Sequence, residues 1–234
     1  MSDLSPYLPV LKSGRWFAQL PDALSAGLLG MARVRALQPG EALFLRNGPP
    51  CGLYAVVRGS VRISGLGGAR DDAREAVLTL LTPPTWFGEI SLFDGSARTH
   101  DAHAAEASTL LQMTQDDLLG WLHQHPQHWR DLAQLMADKL RMAFVSMEEM
   151  ALLPAPLRLA RRLVMMAEGY GQRQDTGSSQ RIIALSQEQL SMMLGISRQT
   201  TNQILKELKA RGMVRVQRGE VEILDLAALR ALCP

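Results

Sequence analysis

The sequence predicts an α+β chain: an N-terminal β-roll of jelly-roll-like build, a long helix, and a C-terminal helical domain closed by a β-hairpin. Three observations carry this expectation. Short apolar runs broken by turn residues fill the first half, the apolar period turns helical after Pro126, and two closely spaced helical segments precede a strand pair after Ser186. At 234 residues and 47% hydrophobic content, the chain can bury a core in each of two modest domains. The expected divisions are 1–125 for the roll and its N-terminal helix, 126–153 for the long helix, and 154–234 for the last domain.

Taken in order, Trp16 to Met31 reads as one helix, with Trp16, Phe17, Leu20, Leu24 and Leu28 at helical spacing. Glu41 to Leu45, Leu53 to Val57, Ser60 to Ile63 and Ala76 to Leu81 read as strands. Gly40, Gly48, Gly59 and the Gly65, Gly67, Gly68 cluster supply the breaks. Arg58-Gly59 reads as a tight hairpin turn, and several strands at this spacing suggest a small barrel or sandwich. After Pro126, Trp129, Leu132, Met136, Leu140, Ala143, Met147 and Met150 recur at steps of three and four until Pro154 and Pro156 stop the helix. Such a stripe serves either as intramolecular core or as a dimer seam. Its place between two candidate domains, where a lone helix has little else to cover its face, favours the seam and a homodimer. Leu157 to Glu168 forms a further helix, with Leu159, Leu163 and Met166 on its apolar side, and Gly169 to Gln180 is a polar loop.

Ser186 caps a short helix, Gln187 to Leu194; Gly195 supplies a left-handed turn; Ser197 caps a second helix running to about Arg211. Leu190, Leu194, Ile196 and Ile204 fall where two steeply crossing helices bury side chains, and Ser191 is small where they approach. Met213 to Gln217 and Glu220 to Leu224 then form a hairpin through Arg218-Gly219. The combination is a winged helix-turn-helix, a double-stranded DNA reader. The N-terminal part of the second helix meets base edges in the major groove. Ser197, Arg198, Gln199, Thr200, Asn202, Gln203 and Lys206 are the candidate contacts: Arg198 for guanine, Gln199 and Gln203 for adenine, and Thr200, Asn202 and Lys206 for phosphate. Thr201 either joins the phosphate contacts or packs inward. Arg218 on the wing, with Arg215, suits phosphate contacts that position the module without reading sequence.

Charge agrees with a local interface. The formal net charge is only +2, yet from Arg181 to Arg218 seven basic residues stand against two acids, Glu188 and Glu207. The two cysteines, Cys51 and Cys233, show no disulfide or zinc spacing, which fits a reducing cytoplasm. Asp3 and Pro6 stand where a signal peptide has a basic stretch and an unbroken apolar core, and no stretch approaches the ~20 apolar residues of a membrane span. The expected protein is therefore cytoplasmic, with no membrane partner. The five histidines, His100, His103, His123, His125 and His128, read as strand and helix-start residues and not as metal ligands.

Trp86 to Phe93, followed by Arg98-Thr99, has the chemistry of a phosphate cassette. Gly88 allows close backbone approach, the turn after it aims N–H groups outward, Arg98 offers a planar fork, and Glu89 can accept from a ribose hydroxyl. Such segments also arise by chance between strands. The expectation is that Arg98 serves the phosphate and not the core.

The arrangement resembles the CRP/FNR family of bacterial regulators over nearly the whole chain. The resemblance rests on GEISLFDGSARTHDA at Gly88 to Ala102, the long helix ending at Leu153, and LSQEQLSMMLGISRQTTNQILKELKARG at Leu185 to Gly212. It implies a cyclic-nucleotide-binding roll, a dimerisation helix and a DNA-binding domain. Gly88, Glu89, Ile90, Ser91, Arg98 and Thr99 match the ligand-holding segment, and Arg198, Gln199 and Gln203 match the base readers. The adjacent hydroxyls that read adenine in cyclic-AMP-responsive members are Ala143 and Phe144 here, so the implied effector is cyclic AMP or cyclic di-GMP. Two cysteines are too few for the four thiolates of the iron–sulfur branch. The implied function is a ligand-responsive transcription regulator, not an enzyme, with no covalently bound cofactor. It acts as a homodimer on a pseudo-palindromic operator, with RNA polymerase a further candidate partner. The alternative is a constitutive dimeric DNA-binding protein whose roll binds no nucleotide.

Overall fold

The computed structural model describes residues 3–67, 74–169, 182–183, 185–217 and 219–232. The wing residue Arg218, Arg181 of the basic segment, Cys233, Gly68 and the loop from 170 to Gln180 lie outside the described residues. The chain divides into two compact units, residues 1–65 with 78–141, and 66–77 with 142–234.

In the first unit, α1 (Leu8–Lys12), α2 (Arg15–Ala18) and α3 (Asp22–Met31) precede β1 (Arg33–Leu37), β2 (Ala42–Phe44), β3 (Leu53–Arg58), β4 (Val61–Gly67), β5 (Arg74–Leu81) and β6 (Trp86–Phe87). Then come α4 (Ile90–Asp94), β7 (Asp101–Ala104), β8 (Ser108–Met113), α5 (Gln115–Gln124) and α6 (Trp129–Leu152). The strands form two four-stranded sheets, ordered β1-β8-β3-β6 and β2-β7-β4-β5. Strand β3 explains the roll. With side chains alternating between faces, Leu53, Ala55 and Val57 join one core with α1, α2, α3 and α5, while Tyr54 and Val56 join a second core with Val61, Phe87, Ala102 and Leu110. Burial on both faces is why its sequence is continuously apolar.

Three expectations are corrected. Trp16 to Met31 is two helices, because Pro21 adopts an extended ψ of 144° before α3 and disfavours a helical residue ahead of it. Arg58-Gly59 is no hairpin turn: β3 pairs with β6 and β8, β4 with β7 and β5, and Gly59 turns the corner between the sheets. Its φ of +74° and the crowding against Ala107 and Ser108 suit glycine alone. The expected dimer stripe also divides in two. Leu132 is fully buried in the roll core and so is not available to a seam, and Trp129, partly buried, packs against the same core. Met136 is half-buried, whereas Leu140, Ala143, Met147 and Met150 are exposed on α6, as is Phe144 at 61%.

The histidines near the start of α6 are used in packing. Trp121 stacks on His125 and His128 with ring centroids 4.1 and 5.3 Å apart, and His128 Nδ1 lies 2.9 Å from Asp131 Oδ2.

The second unit contains the end of α6, α7 (Ala155–Ala167), β9 (Ile182–Ile183), α8 (Gln187–Leu194), α9 (Arg198–Ala210), β10 (Val214–Gln217), β11 (Glu220–Ile223) and α10 (Leu226–Ala231). A three-stranded sheet in the order β10-β11-β9 adds a strand to the expected hairpin. Its helical core gathers Leu159, Leu163, Leu190, Leu194, Ile204 and Leu208, all buried. Among the described residues no helix is long and apolar enough to cross a membrane.

Candidate ligand site and nucleic-acid interface

The cassette residues come together in the first unit around the backbone of Gly88. Its φ is +98°, and a Cβ there would stand 2.7 Å from the Gly52 carbonyl oxygen and 3.2 Å from Arg98 Nη1. Any side chain would close the space beside the guanidinium. Arg98 is buried, and its backbone pairs with the β2–β3 loop through Arg98 N to Gly48 O (2.9 Å) and Asn47 N to Arg98 O (2.8 Å). The guanidinium donates from Nη1 to Gly88 O at 2.8 Å and from Nη2 to Gly52 O at 2.6 Å. Its Nε and Nη2 both reach Cys51 Sγ, at 3.3 and 3.1 Å, and its Cζ lies 4.5 Å from the Phe44 ring centroid. Arg98 therefore serves the core as well as offering a cation, which corrects the expectation that it serves a phosphate alone.

An aromatic wall stands beside it. Tyr54 stacks on Phe87 at 5.5 Å, and Gln112 Nε2 donates to Tyr54 Oη and to Cys51 O, each at 3.0 Å. Burial, reinforced by hydrogen bonding with Cys51, pushes the Tyr54 phenol well above its usual range, so it is a neutral donor at physiological pH. Glu89 is buried at the head of α4, and its Oε2 accepts from Lys139 Nζ of α6 at 2.6 Å. Ser91 is buried with its carbonyl oxygen accepting from Gln115 Nε2 at 2.9 Å. Ile90 and Thr99 are exposed, the Thr99 hydroxyl lying 2.9 Å from His100 Nδ1.

In the second unit the helix-turn-helix is built from its caps. Ser186 and Gln189 form a reciprocal capping box, with Gln189 N to Ser186 Oγ at 3.1 Å and Ser186 N to Gln189 Oε1 at 2.8 Å. Gly195 turns left-handed at φ +63°, and Ser197 accepts from Thr200 N at 3.0 Å to start α9. Thr201, Ile204, Leu205 and Leu208 form the buried stripe of α9, which settles Thr201 as a packing residue. The opposite face presents Gln199, Gln203 and Lys206, flanked by Arg198 and Asn202 on one side and Thr200 and Glu207 on the other. Arg198, Gln199 and Lys206 have no hydrogen-bond or ion-pair partner among the described residues. Gln203 Nε2 donates to Glu207 Oε1 at 3.0 Å. On the hairpin, Arg215 Nη1 pairs with Glu222 Oε2 at 2.6 Å, so its charge is already answered across the strands.

The comparisons with known proteins follow this division. The cyclic nucleotide-binding domain family matches residues 34–125, and the Crp-like helix-turn-helix domain family matches residues 157–232. The CRP-like cAMP-activated global transcriptional regulator of Mycobacterium tuberculosis is 30% identical over 199 residues, covering 83% of this chain and 87% of the relative. The chain belongs to the CRP/FNR family of transcription regulators. The cyclic AMP receptor protein of Thermus thermophilus is 31% identical over 202 residues, covering 85% of this chain and 87% of that protein. Among solved structures, FixK2 of Bradyrhizobium japonicum shares the fold of this CRP/FNR regulator with a TM-score of 0.73 at 21% identity, over 87% of this chain and 98% of that one. The c-di-GMP responsive global regulator CLP of Xanthomonas campestris shares it at 0.66 and 20% identity, over 88% and 100%.

Sequence reasoning missed several residues of this CRP/FNR regulator's cassette. Cys51, Gly52, Tyr54 and Gln112 meet Arg98 or its neighbours only through strand pairing, such as Tyr54 opposite Gln112, which no local motif encodes. Lys139 carried no distinguishing signal, being one of three basic residues on α6 with Arg130 and Arg141.

Proposed function

We propose that this protein is a homodimeric transcription regulator whose DNA binding is governed by a cyclic nucleotide held at Gly88, Glu89, Ile90, Ser91, Arg98 and Thr99. The observation that carries the reading is the Glu89–Lys139 pair. Glu89 sits in the cassette and Lys139 on the long helix, so an occupant that donates a hydrogen bond to Glu89 acts directly on α6. A ligand shifts the protein only if it binds the DNA-competent arrangement more tightly, and a buried carboxylate that trades one partner for another supplies such a difference. The exposed face of Leu140, Ala143, Phe144, Met147 and Met150 is the seam that a second copy covers. On the DNA side, Arg198 reads guanine, Gln199 and Gln203 read adenine, and Ser197, Thr200, Asn202, Lys206 and Arg218 hold the backbone of a pseudo-palindrome with half-sites about one helical turn apart.

Relatives named as cAMP-activated support cyclic AMP. Ala143 and Phe144, in place of the family's adenine-reading hydroxyls, support cyclic di-GMP as the second effector to try. A constitutive regulator is the alternative, favoured by one observation: the guanidinium of Arg98 is already held by Gly52 O, Gly88 O and Cys51 Sγ. Calorimetric titration of the full chain with each nucleotide decides between them. Saturable binding by wild type and its loss in Arg98→Ala supports the gated reading; no heat with either nucleotide supports the constitutive one.

A further inference from the structure

Of the two glutamines on the reading face of α9, only Gln203 is held. Its amide nitrogen donates to Glu207 Oε1 at 3.0 Å, one helical turn on, while Gln199 has no partner among the described residues. Both are exposed, and so is Glu207. From this contrast we infer that Glu207 is a positioning residue for base reading, fixing the Gln203 amide so that it accepts adenine and refuses guanine. The inference rests on the DNA-reading role of α9 proposed above.

A free glutamine amide has an acceptor oxygen and two N–H donors, and it can rotate to present either side. Facing adenine, it accepts from N6 and donates to N7; rotated, it turns its donors to guanine, whose N7 and O6 are both acceptors. Glu207 removes that freedom. Its carboxylate takes one N–H of Gln203 and leaves one N–H with the carbonyl oxygen, the pair that adenine requires. A flipped amide would set the Gln203 oxygen against the Glu207 carboxylate, acceptor against acceptor, so the orientation that serves guanine is penalised. An i,i+4 pair on a helix also restricts the rotamers that Gln203 would otherwise lose on binding. Gln199, unheld, keeps both orientations and is the more permissive reader.

The test is site selection from a random DNA pool with the full chain in four forms: wild type, Gln203→Ala, Glu207→Ala and Glu207→Gln. Wild type is expected to enrich a site with adenine at one position per half-site that Gln203→Ala erases. At that same position, Glu207→Ala is expected to lower the adenine-to-guanine ratio about fivefold or more, with the other positions unchanged. Glu207→Gln, whose amide can turn its nitrogen to a flipped Gln203 oxygen, removes the same penalty and is expected to lower the ratio much as Glu207→Ala does. A ratio unmoved by Glu207→Ala overturns the inference while leaving the DNA-binding reading intact, and so does a uniform loss at every position. A wild-type pool that enriches no site overturns the DNA-reading proposal itself and this inference with it.

Discussion

At the scale of single residues, Arg98 and the Glu89–Lys139 pair dominate. Arg98 ties the Gly52 and Gly88 carbonyls together from a buried position, and hydrogen bonds to charged groups are each worth about 1.5–3 kcal/mol. Arg98→Ala is therefore expected to abolish nucleotide binding and also to destabilise the roll by about 2–4 kcal/mol, measured by calorimetry and by denaturant unfolding. A variant of unchanged stability would mean that the guanidinium contacts contribute nothing to the fold. Glu89 is the second case. Its side chain is 3% exposed against 26% for Lys139, so removing the cation strands a buried carboxylate. Lys139→Met should lose about 2–4 kcal/mol of stability, and Glu89→Gln added to it should recover much of that loss. Additive losses would contradict a direct pair. Neither partner was visible as a pair in the sequence, because fifty positions separate them and only the fold sets one against the other.

At the scale of elements, legibility followed locality. The helix-turn-helix could be read closely because its signals are local: Ser186 and Ser197 cap, Gly195 turns, and the apolar spacing of Leu190, Leu194 and Ile204 is set within a few turns. The roll was harder. Its strands β1, β6, β7 and β8 did not announce themselves; β6 is two residues long, and the others depend on partners far along the chain. Pro21 broke a helix whose apolar spacing was correct on either side, and Gly59 marked a corner that a turn signal cannot tell from a hairpin. The β7 region also carries a pH dependence. Burial, aided by Arg46, holds the His100 imidazole below its usual range, with Asp101 opposing. The unfolded chain then binds the proton more readily, so this contribution is complete above the unfolded value of about 6.5 and is lost as pH falls through the lowered folded value. His100→Asn should flatten the decline in Tm from pH 7 to about pH 5. An unchanged slope would assign the acid sensitivity to other groups.

At the scale of the whole molecule, the proposed regulator is two copies of the chain. The second half of α6 leaves Leu140 at 55%, Phe144 at 61% and Met147 at 64% exposure, an apolar face that the described residues do not cover. Phe144→Glu with Met147→Glu should convert a dimer to a monomer in sedimentation, since two like charges would face their copies across an apolar seam. A dimer that persists would move the interface elsewhere. Control of DNA binding by a cyclic nucleotide is measurable by fluorescence anisotropy. The full chain is titrated onto its own selected operator at one salt concentration, with and without saturating cyclic AMP and then cyclic di-GMP. One of the two is expected to move the binding midpoint tenfold or more, about 1.4 kcal/mol, and neither is expected to do so in Arg98→Ala. Midpoints that coincide with and without both nucleotides in the wild type would contradict such control.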